Sequence, residues 1–146
     1  MLRSIVAIVL AVSGASSMAQ MSPVGLWRTI SDKDGVAQSE VRIVDTSGVV
    51  SGKVEKITDP KAKPGERCVE CNDERKDQPI LGMEILRGLK KVDGKDVWDG
   101  GTVVEPATGK IYRAKVSPIE GGAKLEMRGY IGSPLFGRTA TWIRIE

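Results

Sequence analysis

Apolar and polar residues alternate one by one along several short stretches of the chain. Residues 124–128 read Lys-Leu-Glu-Met-Arg and residues 40–43 read Glu-Val-Arg-Ile, so charged and apolar side chains take turns in both. Successive side chains of a β-strand point to opposite faces of a sheet, and the pattern is therefore typical of strands with one buried face. Turn-forming residues, chiefly Gly, Asp, Pro and Ser, separate such stretches about every ten residues, which favours an all-β sandwich or barrel.

These stretches and their turns predict eight strands. We place them at residues 26–31, 40–45, 49–57, 81–89, 95–104, 110–116, 124–130 and 138–145. Tight turns join most of them, which favours an antiparallel up-and-down order within a single domain. No stretch predicts an amphipathic helix. The last strand is rich in β-branched and aromatic residues and needs a partner on each edge, so we expect it to pair with the first strand and close the sheet into a barrel.

One connection, at residues 58–79, is far longer than the others. It contains three prolines and charges of both signs that nearly cancel, so it gives no electrostatic sign of an anionic partner. Loops of this length are usually either functional or disordered.

The two cysteines of the chain, Cys68 and Cys71, lie in this long loop. In an exported protein the default for such a pair is a disulfide, which here would stiffen the loop without holding the fold together. A thioredoxin-like redox site would need the Cys-x-x-Cys motif at the N-terminus of a helix, and no such helix is predicted. A metal site would need two further ligands, for which only carboxylates are at hand.

The N-terminal residues 1–19 have the order of a secretory signal peptide. Arg3 precedes an apolar run at residues 5–12, and small residues lead to Ala19. The run is too short for a membrane-spanning helix, which needs about 20 residues. We therefore expect cleavage after Ala19, a soluble barrel domain formed by residues 20–146, and a periplasmic or secreted location.

Composition excludes several classes of function. The 146 residues carry a formal net charge of +3 without a basic block, so attraction to nucleic acid is not expected. Histidine is absent, which removes the commonest general base, the commonest zinc ligand and every Ser-His-Asp or Cys-His arrangement. We accordingly assign no catalytic residue, no metal ligand and no cofactor. The sequence leaves the oligomeric state open.

Aromatic and basic residues in the predicted strands are the candidates for a cavity lining. Trp98 precedes a Gly-Gly pair at which a strand can bend, and a tyrosine has a ring to bury and a hydroxyl that needs a partner. A strand arginine is most often on the surface, but one that points into a barrel offers a fixed cation to a carboxylate or phosphate head group. The cavity candidates are Trp98, Tyr112, Tyr130, Arg87 and Arg128.

Six motifs, in the order in which they occur, resemble one bacterial family. They are Cys68-x-x-Cys71, Gln78-Pro-Ile-Leu-Gly82, Trp98-x-Gly-Gly101, Pro106-x-x-Gly-Lys-x-Tyr112, Arg128-Gly-Tyr-x-Gly132 and Phe136-Gly-Arg-Thr-x-Thr-Trp142. The family is catalogued as domain of unknown function 2147 and consists of small exported proteins. The resemblance covers nearly the whole mature chain and implies a lipocalin-like or calycin-like antiparallel barrel. It implies no known activity, so no catalytic residue is carried over.

Lipocalin-like barrels also suggest how one end is sealed. A Gly-x-Trp motif on the opening strand meets an arginine of the closing strand, which lies across the Trp ring in a cation–π contact worth about 0.5–2 kcal/mol. By this resemblance, Trp27 takes the role of the tryptophan. We expect Arg138 to be the arginine, with Trp142 as a third residue of the closure.

Three hypotheses about function remain. An eight-stranded barrel either fills its interior with side chains or holds one small ligand, and few bulky aromatics among many Gly, Val and Ala residues leave room here. The preferred hypothesis is a non-enzymatic binder of a small apolar or amphipathic ligand. The alternative is a structural or interaction module of the cell envelope, with a filled barrel and residues 58–79 as its contact surface. An enzyme with a carboxylate pair, Asp96 and Asp99 or Glu84 and Glu105, comes third.

Overall fold

Eight strands and one short helical turn form the regular structure of the described chain. The computed structural model describes residues 21–146, and the predicted signal peptide lies outside these described residues. The strands are β1 (Gly25–Ile30), β2 (Ala37–Thr46), β3 (Val49–Ile57), β4 (Glu84–Lys91), β5 (Trp98–Glu105), β6 (Lys110–Ile119), β7 (Lys124–Tyr130) and β8 (Gly137–Arg144), and the 3₁₀ turn is Glu120–Gly122.

The strands form one closed antiparallel barrel in chain order. Each strand pairs with its neighbours in sequence, and β1 pairs with β8. In this closing pair Trp27 lies opposite Arg144. The backbone of Leu26 continues the seam, because its amide and its carbonyl form hydrogen bonds of 2.9 and 2.8 Å with residues 146 and 145. The predicted eight-stranded up-and-down barrel, closed by its first and last strands, is confirmed.

Two strands begin later than predicted. β4 begins at Glu84 instead of residue 81, because Gly82 adopts a φ of +86° in a turn and Leu81 is 57% exposed. β5 begins at Trp98, because residues 95–97 belong to the connection that precedes it. The long connection therefore spans residues 58–83. Apolar residues continue beyond each strand into its turn, so the hydrophobic pattern alone does not show where the backbone leaves the sheet.

The barrel has two different ends. Odd-numbered strands run from one end to the other and even-numbered strands return, so each connection belongs to one end. At the closed end lie connections 47–48, 92–97 and 120–123. At the open end lie connections 31–36, 58–83, 106–109 and 131–136.

The packed core fills the half of the barrel nearer the closed end. Trp27, Ile43, Leu89 and Leu125 are fully buried. All four lie in the part of their strand next to the closed-end connections or the first residues of β1. Side chains from opposite walls meet in this half, and the interior space lies toward the open end.

Candidate functional site

Arg144 seals the closed end of the barrel. Its guanidinium lies over the Trp27 ring, 4.2 Å from the ring centroid. It also donates hydrogen bonds to the carbonyl oxygens of Gly122 at 2.5 Å, Val24 at 2.9 Å and Ser22 at 2.6 Å. Burial lowers the pKa of Arg144, but a guanidinium keeps its charge inside proteins. One side chain therefore joins the last strand, the segment before β1 and the β6–β7 connection.

Gly25 makes room for this seal. A Cβ at this position would lie 2.3 Å from the Glu146 carbonyl oxygen and 2.7 Å from the Arg144 guanidinium, and the backbone φ is +144°. Glycine is the residue that tolerates both the conformation and the close approach. The indole nitrogen of Trp27 donates to the Pro23 carbonyl at 2.8 Å, which fixes the ring beneath the arginine.

The prediction that Arg138 lies across Trp27 is wrong. Arg138 is near the start of β8, at the open end, and its side chain is 60% exposed. Because β1 and β8 are antiparallel, the start of β1 meets the end of β8, where Arg144 lies. Both arginines share one face of β8, so alternation alone did not distinguish them. Strand direction could have, since it brings the first residues of β1 beside the last residues of β8.

A cavity of about 480 Å³ lies at the open end. Ligand cavities in proteins commonly measure about 300–1,000 Å³. All eight strands contribute residues to its lining. Its apolar wall includes Ile57, Ile80, Ile85, Val103, Met127, Ala140 and Trp142. A small molecule inside this wall would make mainly apolar contacts.

Charged groups lie at the rim of the cavity, and the polar groups deeper inside are largely paired. Thr29 is 7% exposed, and its hydroxyl lies 2.8 Å from the Ser39 hydroxyl. Tyr112 contributes a half-buried ring. We call the charged lining residues the rim; they are Asp32, Lys33, Asp59, Glu66, Glu105 and Arg138.

Arg138 reaches across the rim. Its terminal nitrogens lie 3.7 Å from the Asp32 carboxylate and 3.8 Å from the Glu105 carboxylate. Asp32 follows β1 and Glu105 ends β5, and these strands are on opposite sides of the barrel. Both distances exceed the upper limit of an ordinary N–H···O hydrogen bond, about 3.2 Å. The guanidinium is therefore held at the mouth by charge, without close hydrogen bonds to these two carboxylates.

Of the five cavity candidates, Tyr112 lines the cavity. Trp98 does not: it is 7% exposed in the core, with the Lys91 ammonium 5.8 Å from its ring centroid. The register does shift between Trp98 and Gly101, at the predicted bend. The prediction for Trp98 is nevertheless wrong, because β5 starts at the closed end and meets the cavity only from Val103 onward.

The predictions for Tyr130 and Arg128 are also wrong, because both lie on the outer face of β7. Met127 of the same strand lines the cavity, and residues at odd spacing from it point the other way. The Tyr130 hydroxyl lies 3.2 Å from the Asp99 carboxylate, and Arg128 donates to the Pro134 carbonyl at 2.6 Å. The alternation of β7 had already placed Arg128 on its charged face.

Arg87 tethers the long connection instead of entering the cavity. Its guanidinium donates to the Glu84 carboxylate at 2.6 Å and pairs with Glu74 at 2.5 Å. The hydrogen bond from Arg87 lowers the pKa of the Glu74 carboxyl. The predicted cavity role of Arg87 is therefore wrong, and its contacts join β4 to the segment that precedes it.

Residues 58–83 form one wall of the open end, and a disulfide anchors this segment. The predicted Cys68–Cys71 disulfide is confirmed, with an S–S distance of 1.99 Å and both residues buried. The Cys68 sulfur lies 3.4 Å from the Pro106 carbonyl oxygen. A Cβ on Gly109 would lie 1.8 Å from the Glu70 carbonyl oxygen. The segment thus packs closely on the β5–β6 connection.

Arg75 fixes the middle of the same segment. It is 5% exposed and donates to the Asp73 carboxylate at 2.6 Å and to the Glu84 carbonyl at 2.9 Å. The hydrogen bonds from Arg75 lower the pKa of the Asp73 carboxyl to about 2. The long connection is therefore an ordered wall with its own ion pair, in which Arg75 is buried and Asp73 is half-buried.

Sequence reasoning missed the part that the β7–β8 connection plays in the cavity. Ile131 and Phe136 both line it, although they are 65% and 74% exposed. Trp142, predicted as a closure residue, forms part of the wall and is 4% exposed. Three bulky apolar residues, Ile131, Leu135 and Phe136, in a turn otherwise made of Gly, Ser and Pro were the available signal for this region.

In residues 21–146, no helix is long and apolar enough to cross a membrane. In the same part of the chain, no group of three or more Cys, Asp and Glu side chains is arranged to hold a metal ion. The open-end cavity is therefore the candidate functional site.

Comparison with known proteins gives a family and a fold. The family described as "Uncharacterized protein conserved in bacteria (DUF2147)" matches residues 25–144. Among solved structures, the chain is similar to protein HP1028 from the human pathogen Helicobacter pylori, which is described as belonging to the lipocalin family; the two are 20% identical with a TM-score of 0.73, over 87% of this chain and 85% of that one. No curated protein matches the chain. The chain, a closed barrel with a lipocalin-like fold, therefore belongs to the uncharacterised bacterial family DUF2147.

Proposed function

We propose that the protein is a non-enzymatic binder that holds a small apolar or amphipathic molecule in the open-end cavity. The observation that carries this proposal is the cavity itself, about 480 Å³ in volume and lined by residues of all eight strands. Burying apolar ligand surface against such a wall is worth about 25 cal/mol per Å². A lipocalin-like barrel of eight strands has room for one small ligand.

The β7–β8 connection supports an apolar occupant. Ile131, Leu135 and Phe136 are 65%, 84% and 74% exposed, and two of them line the cavity. Exposed apolar groups that cluster in this way mark binding sites. A ligand at the mouth would cover apolar surface that water otherwise contacts, which adds to its affinity.

The rival hypothesis of an envelope interaction module has weaker support. It needs a filled barrel, and the open-end cavity argues against one. It also needs a contact surface on residues 58–79, where Val69 is 57% exposed. That surface keeps the hypothesis as a second candidate.

An enzyme has the least support. Glu84 bonds to Arg87, and the Asp99 carboxylate lies beside the Tyr130 hydroxyl, so neither belongs to the cavity lining. Of the four carboxylates in the two candidate catalytic pairs, Glu105 alone lines the cavity. Neither of the two carboxylate pairs therefore has both members at the cavity, as acid–base chemistry by such a pair would need.

An exported location is part of the proposal. The buried disulfide is compatible with an oxidising compartment, and residues 1–19 have the pattern of a signal peptide. Mass spectrometry of cell fractions after expression of the full chain checks this. We expect a mature chain that starts at Gln20 in the periplasm or medium, whereas an uncleaved chain in the cytoplasm would contradict it.

Binding of an uncharged fluorescent probe tests the main proposal. The protein is denatured, stripped of lipid, refolded and titrated with N-phenyl-1-naphthylamine. We expect saturable uptake of one probe molecule per barrel. If the refolded protein takes up no probe and no other apolar molecule, the proposal is wrong.

A variant whose cavity is partly filled by a new side chain can be compared with a matched variant changed outside the cavity. Ala140 lines the cavity, and Ala140→Phe should weaken probe binding about tenfold, a loss of about 1.4 kcal/mol. Ala123→Phe adds the same ring at an exposed position of the closed end and should leave the affinity unchanged. Equal binding by both variants would show that the probe lies outside the cavity.

A further inference from the structure

The rim of the open-end cavity is acidic. Four of its six charged residues are carboxylates and two are cations, so its formal charge is −2. The chain as a whole carries +3. The mouth of the cavity therefore has the opposite sign to the rest of the protein. Charges at the mouth of an apolar, low-dielectric cleft act strongly on a ligand that enters it.

Arg138 does not turn this rim into an anion site. Its guanidinium already has the Asp32 carboxylate at 3.7 Å and the Glu105 carboxylate at 3.8 Å. An anionic head group brought to Arg138 would approach both carboxylates and be repelled by them. Lys33 is then the remaining rim cation, and the rim has two further carboxylates, Asp59 and Glu66.

Charges just beyond the rim offset one another. The pKa of Asp34 is lowered first by the Val36 amide and further by Lys61, which lies close enough to act on it. Neither Asp34 nor Lys61 lines the cavity. These two opposite charges therefore leave the formal charge at the mouth at the −2 of the rim residues.

Two aromatic rings at the cavity favour a cationic head group, as the acidic rim does. Phe136 and Tyr112 both line the cavity, and Phe136 is 74% exposed at its mouth. The face of an aromatic ring attracts cations. A cationic head group at the mouth can meet carboxylates and a ring face while its alkyl chain contacts the apolar wall.

We infer that the cavity selects amphiphiles by head-group charge and favours an ammonium head over a carboxylate head. This inference rests on the proposed function, because it requires that an amphiphile occupies the cavity. It goes beyond that function by stating the chemical class of the preferred ligand.

Three amphiphiles with the same ten-carbon chain test the inference. Decyltrimethylammonium, decanol and decanoate each displace N-phenyl-1-naphthylamine at neutral pH and low ionic strength. We expect affinity to fall in that order, with the ammonium bound about tenfold more tightly than the carboxylate. The difference should shrink in concentrated salt, since the Debye length falls from about 10 Å at 0.1 M to about 3 Å at 1 M. Equal affinities, or tighter binding of decanoate, would overturn the inference.

Rim variants identify the groups responsible. The double variant Asp32→Asn/Glu105→Gln removes two carboxylates beside Arg138 and should abolish or reverse the preference for the ammonium. The double variant Asp59→Asn/Glu66→Gln removes the other two and should reduce it. Glu126→Gln, an exposed residue of β7 outside the cavity lining, is the control and should keep it.

The outcomes separate the inference from the proposed function. If wild-type protein binds neither the uncharged probe nor any of the three amphiphiles, the proposed function fails. If the probe binds but the charge of the head group has no effect, only the inference fails. If both rim variants fold, as circular dichroism shows, and both keep the wild-type preference, the assignment of selectivity to the rim fails.

Discussion

The two ends of the barrel use an arginine from the same face of β8 in different ways. Arg144 at the closed end is partly buried, lies 4.2 Å from the Trp27 ring centroid and donates to three carbonyl oxygens. Arg138 at the open end is 60% exposed, and its nearest carboxylates are 3.7 and 3.8 Å away. The guanidinium of Arg144 has its hydrogen bonds satisfied by the backbone, and that of Arg138 keeps donors that water can use.

This difference shows what separates a structural arginine from one in a binding site. At the closed end, close hydrogen bonds and burial fix the guanidinium, so its removal leaves carbonyl groups without partners. At the open end, exposed ion pairs contribute little to stability. The same residue type on the same strand face therefore stabilises the fold at one end and sets the charge of a cavity mouth at the other.

Replacing each arginine should give the largest contrast. Arg144→Ala should lower the free energy of unfolding by about 3 kcal/mol, because it removes charge-assisted hydrogen bonds and a cation–π contact. Arg138→Ala should lower it by less than about 0.5 kcal/mol. Urea denaturation followed by tryptophan fluorescence measures both, with exposed Arg113→Ala as the control. Equal losses at the two ends would contradict the comparison.

The same substitution placed in the core and in the cavity should give the next largest contrast. Ala114 is fully buried in the packed core, so Ala114→Phe should cost about 2–3 kcal/mol through overpacking. Ala140→Phe enters the cavity and should cost less than about 1 kcal/mol, because space for the ring exists there. Urea denaturation measures the free energy of unfolding of both variants. A loss of more than about 2 kcal/mol with Ala140→Phe would indicate that the cavity is too small for the ring.

Two glycines with the same backbone conformation test how the wall at residues 58–83 is held. Gly94 and Gly109 both have a φ of +71°, but a Cβ on Gly94 meets nothing within 4 Å and one on Gly109 overlaps the Glu70 carbonyl. Gly94→Ala should cost about 1 kcal/mol through its conformation alone. Gly109→Ala should cost about 2 kcal/mol and expose the segment to limited proteolysis. Equal losses of stability in the two variants would show that residues 58–83 do not pack against the turn that contains Gly109.

The smallest expected effect is a pH dependence confined to the same wall. The pKa of Asp73 is lowered from 3.8 to about 2. The ionised carboxylate therefore stabilises the folded state at any pH above its ordinary pKa of 3.8, and this stabilisation is lost as the pH falls toward 2. Cleavage of residues 58–83 by pepsin, measured at each pH relative to an unfolded control peptide, should increase over that range, while the tryptophan fluorescence of the barrel stays constant. In Asp73→Asn the increase should be absent. An identical pH profile in the variant would contradict this role of Asp73.

Short-range patterns predicted most of the fold. β3 and β7 have the predicted bounds, because glycine-containing connections flank both strands and the alternation of β7 is regular. The closing pair of strands and the disulfide were also predicted. The starts of β4 and β5 were not, since the apolar residues there continue into turns whose backbone conformation the pattern does not show.

The lining of the cavity was harder to predict, because a lining residue must lie on the inner face of its strand and also near the open end of the barrel. Alternation correctly separates Met127 from Arg128, yet it cannot tell that Trp98 lies at the closed end and Tyr112 at the open end. The charged rim was missed for a similar reason. Asp32 and Glu105 are far apart in sequence and meet Arg138 only because their strands end at the same mouth.

Strand number, strand order and barrel closure were readable from the chain because they depend on local chemistry: side-chain alternation, turn residues and the need to pair strand edges. Which end is sealed and where space remains depend on groups that are distant in sequence. Folding decides these features, because the direction of each strand assigns its residues to one end, and packing fills the closed half of the interior while the open half keeps a cavity of about 480 Å³.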